Sequence, residues 1–269
     1  MGVEHATPGM LVIMVVLAIP LFYYINKARN GGSLFIRRIA GIDAINQAVG
    51  RAAEMGRPVS FSTGLTSVSP TLYAVLGVLF HVARKCAVYR SKFILPQNSP
   101  EVMAIAESVM KDAYRVENRL SDFDPANIVY LSDEQFAFAS GYMGMVHREN
   151  VASAFLFGYF AAESLILAEA GQQVGALQVA GSVSPEQVPF FITACDYTLI
   201  GEELFAASAY LTREPVQMGS LMAQDRAKIV IFILILIGVA IATAKVFFPE
   251  FDWIDIDQLI REPWSKEVA

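Results

Sequence analysis

Two long apolar runs frame this chain, and between them short β-rich runs alternate with longer helical ones. Residues 229–244, IVIFILILIGVAIATA, hold no charge and lie between Lys228 and Lys245. Eleven of them are Ile, Leu, Val or Phe. At about −0.3 to −0.6 kcal/mol each, they favour bilayer insertion by roughly 3 to 6 kcal/mol. With Phe247, Phe248 and the lysine stems, residues 228–248 reach the roughly 20 residues that cross a bilayer. The run over residues 9–25, GMLVIMVVLAIPLFYYI, is also uncharged and closes on Tyr23 and Tyr24, whose rings suit the headgroup zone. Pro20 is tolerated in such a helix as a mild kink. Glu4 and His5 precede the run, no small-x-small site follows it, and Lys27 and Arg29 come after it. An uncleaved anchor over residues 9–26 is expected rather than a signal peptide.

Charge beside the two spans sets their direction. Lys27, Arg29, Arg37 and Arg38 follow the first, and Arg213, Arg226 and Lys228 precede the second. Residues 1–8 carry neither Lys nor Arg. The positive-inside rule then places residues 35–226 in the cytoplasm, with the N-terminus (1–8) and an amphipathic tail (249–269) outside.

Within the central region, PVSF (58–61), KFIL (92–95), NIVYL (127–131), ASAFLFGY (152–159) and ALQVA (176–180) read as five strands. Helices are expected between them. Ser69-Pro70 opens one to about Ser91, and Ser99-Pro100 opens one to about Glu117. Ser132 with Gln135, and Ser184 with Gln187, have capping-box spacing. Gly171 is expected to stop the helix AAESLILAEA, and a last helix is expected over about 198–211. Strand–helix alternation with near-continuous apolar strands predicts an α/β fold: a Rossmann-like parallel sheet domain flanked by two transmembrane helices. Residues 71–83 and 151–162 are apolar too, but runs of that length belong more often to core elements than to spans.

The net charge of −6 excludes a nucleic-acid surface. Cys86 and Cys195 lie in apolar stretches and read as buried hydrophobes, and the three histidines have no metal-ligand spacing. Neither a metal nor a cofactor is expected.

Candidate chemistry is sparse. Ser62, Thr63, Gly64 and Thr66 lie between a strand and a helix, where parallel sheets bind phosphates or carboxylates. They match neither GxGxxG nor GxxxxGK[ST], and turn chemistry explains them equally. Glu163, Asp196 and Glu202 sit in apolar surroundings as candidate buried acids, but no histidine or basic partner completes an acid–base set. His81, in an apolar helix, reads as a hydrogen-bonded core residue. Gly238 and Ala242 form a small-xxx-small pair suited to close helix packing, a candidate oligomer contact.

The runs IDAINQAVGRAAEMGRPVSFSTG (42–64), AESLILAEAGQQVGALQVAG (162–181) and PFFITACDYTLIGEELFAASAYL (189–211) resemble an uncharacterised prokaryotic membrane-protein family, catalogued as a domain of unknown function. The likeness covers most of residues 35–228. It implies a membrane-attached α/β-like domain without an established activity and supplies no catalytic residue. The expected role is a structural or assembly subunit of a homo- or hetero-oligomeric membrane complex, with the lipid bilayer and other subunits as partners. The rival expectation is a membrane-anchored domain that binds a small molecule or nucleotide, with its site at the 62–67 loop.

Overall fold

The computed structural model describes residues 8–31 and 40–247. Contacts divide the chain into two units, Met1–Phe35 with Glu214–Ala269, and Ile36–Arg213.

The second unit is an α/β domain. Its elements run α2 (Ala40–Met55), β1 (Val59–Gly64), α3 (Pro70–Tyr89), β2 (Phe93–Gln97), α4 (Pro100–Val116), β3 (Ile128–Tyr130), α5 (Gln135–Glu149) and β4 (Ser153–Tyr159). They continue as α6 (Ser164–Gln173), β5 (Leu177–Ser182), α7 (Val188–Ala194), β6 (Tyr197–Ile200) and α8 (Glu203–Thr212). All six strands are parallel, in the order β3-β2-β1-β4-β5-β6. That is the strand order of a doubly wound sheet, which reverses between β1 and β4.

Strand side chains alternate between two cores. Phe61, Phe93, Phe155 and Phe157 face α2, α3, α4 and α8, with the Phe61 ring 5.7 to 6.4 Å from the other three. Ile94, Leu156 and Ala180 face α5, α6 and α7. Burial on both faces explains why these strands read as continuous apolar runs.

Several local expectations hold and several do not. Ser69 caps α3, its hydroxyl accepting from the Leu72 N–H at 3.4 Å, with Pro70 in the first turn. The boxes at Ser132 and Ser184 do not form. The Ser132 hydroxyl instead accepts from the Glu134 N–H, and the Gln135 and Gln187 side chains bond Glu163 and Ser164. Gly171 does not end α6, which runs on to Gln173; the Gln178 carboxamide fills the space its Cβ would take. Gly175, at φ +67°, follows the true end. The expected helix start at 198 is strand β6, so the sheet has six strands rather than five.

Two helices among the described residues are long and apolar enough to cross a bilayer, Pro70–Tyr89 (mean hydropathy 1.4) and Pro215–Ala244 (2.7). The first is α3, half buried in the domain core; residues 151–162 are likewise mostly strand β4. The second belongs to α9 (Pro215–Phe247), whose apolar stretch is unburied. At 1.5 Å per residue its 33 residues extend about 50 Å, and it begins 13 residues before the run read from sequence. Within the first unit, α1 (Pro8–Arg29) packs on α9. The tight point is Gly219, whose missing Cβ lets the Ile25 backbone approach.

Candidate functional site

In an open doubly wound sheet, ligands bind beyond the strand C-termini where the strand order reverses. Here that crevice lies between the loops after β1 and β4, so the 62–66 residues stand at the expected place. Their polar groups are engaged internally. The Ser62 hydroxyl accepts from the Gly64 N–H at 3.1 Å, and the Thr63 hydroxyl donates to the Gln97 side-chain Oε1 at 2.9 Å. Thr66 Oγ1 donates to the Thr63 carbonyl and accepts from the Tyr159 N–H at 2.7 Å. The Leu65 N–H donates to the Tyr159 carbonyl at 2.9 Å. Ser62, Thr63 and Thr66 are all buried.

Two glycines allow this closure. Gly64, at φ +60°, would place a Cβ 2.5 Å from the Tyr159 carbonyl and 2.6 Å from the Phe160 ring. Gly158, at φ +146°, stands where β4 bulges against β1, and its Cβ position is taken by Thr66 Oγ1 and the Thr63 carbonyl. Phe160 is fully buried and meets Phe191 edge-on at 5.0 Å. Protein atoms therefore occupy much of the space beyond β1 and β4. One polar group stays over: Gln97 Nε2, buried without a hydrogen-bond partner.

The three acidic candidates are not brought together. Glu163 is fully buried just before α6, its carboxylate accepting from Gln135 Nε2 at 2.6 Å and the Ala161 N–H at 3.0 Å. Asp196 and Glu202 are exposed, which corrects the expectation of burial. Asp196 precedes β6 at the amino edge of the sheet, where its carboxylate accepts from the Gln178 N–H at 2.7 Å. Glu202 stands in the turn after Gly201, one residue before α8. Both flank elements instead of lining helix interiors.

The Cys86 thiol is fully buried and burial pushes it up, while the half-buried Cys195 thiol is pushed up to about 12, first by burial and then by Asp196. Burial disfavours the thiolate at both positions. Gly238 has nothing within 4 Å of its Cβ position, and Ala242 is exposed. Neither is used by packing within the chain, where the close helix approach falls at Gly219, with Ala223 one turn on, a small-xxx-small pair the sequence reading passed over.

Sequence reasoning also missed a cavity at the opposite, amino edge of the sheet. It holds about 550 Å³ and is lined by Arg90, Lys92, Tyr114, Asp122, Asp124 and Asn127. Its available signal was the polar, turn-rich stretch 118–127 between α4 and β3. Most of these charges have partners of their own: Lys92 with Glu149, Asp122 with Arg119, and Asp124 with the Ala126 N–H.

His81, on α3, reaches α2 with its Nε2 3.1 Å from Asn46 Oδ1. Burial, then Lys85 and Arg84, lower its pKa to about 4. The unfolded chain binds the proton near pH 6.5 and the folded chain does not. Stability is therefore full above pH 6.5 and falls as pH drops toward 4. The loss expected for this partly exposed ring is about 1–2 kcal/mol. Urea melts at pH 7 and pH 4.5 check this: His81→Gln is expected to flatten the difference.

A family model described as Domain of unknown function (DUF6754) matches residues 3–251. The match takes in α1 and α9 as well as the domain, whereas the resemblance read from the sequence stopped at residues 35–228. No curated protein and no solved structure matches the chain.

Proposed function

The chain belongs to the DUF6754 family, and from that premise we propose that it is a membrane-anchored structural or assembly subunit of an oligomeric membrane complex. Two helices, α1 and α9, anchor it in the lipid bilayer, both termini lie outside, and the α/β domain faces the cytoplasm. Lys27 and Arg29 in the last turn of α1, and Arg213, Arg226 and Lys228 before the apolar part of α9, support that direction. The observation that carries the assembly role is the filled crevice. Where such a sheet offers its ligand space, Gly64 and Gly158 draw the β1–α3 turn onto β4, and the turn's hydroxyls bond the protein itself. A domain whose ligand edge is occupied by its own residues serves contact with other chains. Anchoring in one membrane raises the effective concentration for that contact.

The test is the mass of the particle released from membranes in native-lipid discs. The 29.4 kDa chain is expected in multiples, alone or with other subunits. A particle holding one chain and nothing else would sink the reading.

Binding of a small molecule at residues 62–66 is favoured by one observation, the unpartnered Gln97 Nε2 beside Thr63. Melting of the full chain with nucleotides and phosphate metabolites separates the two readings. A stabilisation abolished by Thr63→Ala would put the ligand reading first.

A further inference from the structure

The cavity at the amino edge keeps polar groups whose bonds are unmade. Phe93 and Cys86, both buried, give it an apolar floor. Two segments supply its polar lining: the α3–β2 turn from Arg90, and the last turn of α4 with the loop before β3. Tyr114, on α4, is only 6% exposed, yet its hydroxyl has no hydrogen-bond partner among the described residues. Burial, then Cys86 and Asp122, push that hydroxyl above its usual range, so it keeps its proton and stands as a donor. Ser91 Oγ, in the turn, is buried and unpartnered as well. Buried polar groups are nearly always bonded, so two without partners in one cavity point to a guest.

The charges around the cavity say what kind of guest. Lys92 is matched by Glu149 at 2.7 Å, and Asp122 by Arg119 at 3.5 Å. Asp124 accepts from the Ala126 N–H at 3.0 Å but has no cation beside it among the described residues. Arg90, which ends α3, has no ion pair among them either. One cation and one carboxylate are thus left over, lining the same cavity and too far apart to pair directly. A guest carrying a single charge would satisfy one of them and be repelled by the other.

We propose that this cavity binds a small zwitterion, a free amino acid or a dipeptide, with its carboxylate on Arg90 and its ammonium on Asp124. The planar guanidinium fork matches a carboxylate, and an ammonium brings donors to the lone pairs that Asp124 does not use. The Tyr114 and Ser91 hydroxyls gain the bonds they lack, and an apolar side chain rests against Phe93 and Cys86. The volume of about 550 Å³ falls within the range of small-molecule sites. The site lies at the opposite edge from the filled crevice, so it adds a ligand to the assembly reading and does not depend on it.

Titration calorimetry of the full chain in lipid discs tests this with phenylalanine, leucine and phenylalanylglycine. Phenethylamine and phenylpropionate, which carry one charge each, are the comparison. At least one zwitterion is expected to bind with a dissociation constant below about 1 mM, and the single-charge analogues about tenfold more weakly or worse. Arg90→Asn and Asp124→Asn are each expected to weaken binding by about tenfold or more. Asparagine suits the left-handed conformation at position 90, φ +54°, and keeps the acceptor for Ala126 at position 124. Ser91→Ala is expected to weaken binding about threefold without lowering the melting temperature of the free chain, since its hydroxyl bonds nothing there. Three results overturn the proposal: no binding of any zwitterion at about 10 mM, analogues that bind as tightly, or affinity that survives both asparagine variants. If a variant fails to fold, the comparison of zwitterions with analogues on the wild-type chain decides alone. None of these outcomes turns on particle mass, so failure here leaves the assembly reading standing.

Discussion

Gly158→Ala is expected to destabilise the α/β domain by about 4 kcal/mol, enough to lower its melting temperature by roughly 10 °C. Two costs add. The backbone at φ +146° belongs to a region that only glycine occupies comfortably. The new methyl group would also overlap Thr66 Oγ1 and the Thr63 carbonyl, so the β1–α3 turn must move off β4. Moving it breaks the bonds of Thr66 with Thr63 and Tyr159 and loosens the approach of Gly64 to Phe160. Gly144→Ala is the control. Gly144 lies inside α5 with open space around its Cβ position, so alanine there is expected to be neutral or slightly stabilising. Thermal melts of the two variants should separate widely. Similar melts would mean that the turn is not held as described.

Arg57→Ala is expected to cost about 3 kcal/mol, because one guanidinium ties three turns at the amino edge of the sheet. Its Nε donates to the Asn150 carbonyl at 2.6 Å, and one terminal nitrogen donates to Asn150 Oδ1, the Val151 carbonyl and the Val174 carbonyl, at 2.6 to 3.0 Å. Those acceptors stand in the α5–β4 and α6–β5 turns, while Arg57 itself stands between α2 and β1. Removing it leaves carbonyls partly shielded from water without a donor. It also loosens Asn150, which ends α5 in the left-handed conformation at φ +52°. Arg57→Lys is expected to recover less than half of the loss, since a point charge cannot span a fork of acceptors. Urea melts give the energies. Faster amide exchange at residues 150–152 and 174–177, ahead of the sheet centre, would identify the clamp as the cause.

Much of the fold was legible because burial on both faces of a parallel sheet writes itself as uninterrupted apolar runs. PVSF, KFIL, NIVYL, ASAFLFGY and ALQVA all contain or overlap strands β1 to β5. β6 was not legible. Tyr197–Ile200 is short, an edge strand with only Leu199 buried, and it runs through Gly201 into an apolar helix that masks it. The capping boxes at Ser132 and Ser184 misled for a different reason. Gln135 and Gln187 had partners from other elements, Glu163 and Ser164, which local spacing cannot reveal. Gly171 was read as a stop signal when its role is contact with Gln178, which stands in the next strand, β5, beyond the reach of a local rule.

The candidate site shows the same division. That a Ser/Thr/Gly loop follows β1 was visible in sequence, but its place at the reversal of strand order was not, because the alternation of elements does not fix which strands are neighbours. That Gly158, 94 residues later, would close onto it was not visible, because a glycine signals backbone freedom without naming its partner. Charge distribution was legible in part. Residues 151–212 contain no lysine or arginine, but only the topology shows that the lysines and arginines of residues 40–212 gather toward the amino edge, where acids such as Asp122, Asp124 and Asp196 stand among them.

Hydrogen exchange of the full chain in lipid discs tests the closed crevice most directly. Amides of residues 63–66 and 158–161 are expected among the slowly exchanging set, with rates unchanged by nucleotides or phosphate metabolites. Fast exchange over these residues that slows when such a compound is added would contradict the account, and would return the carboxyl edge to ligand chemistry.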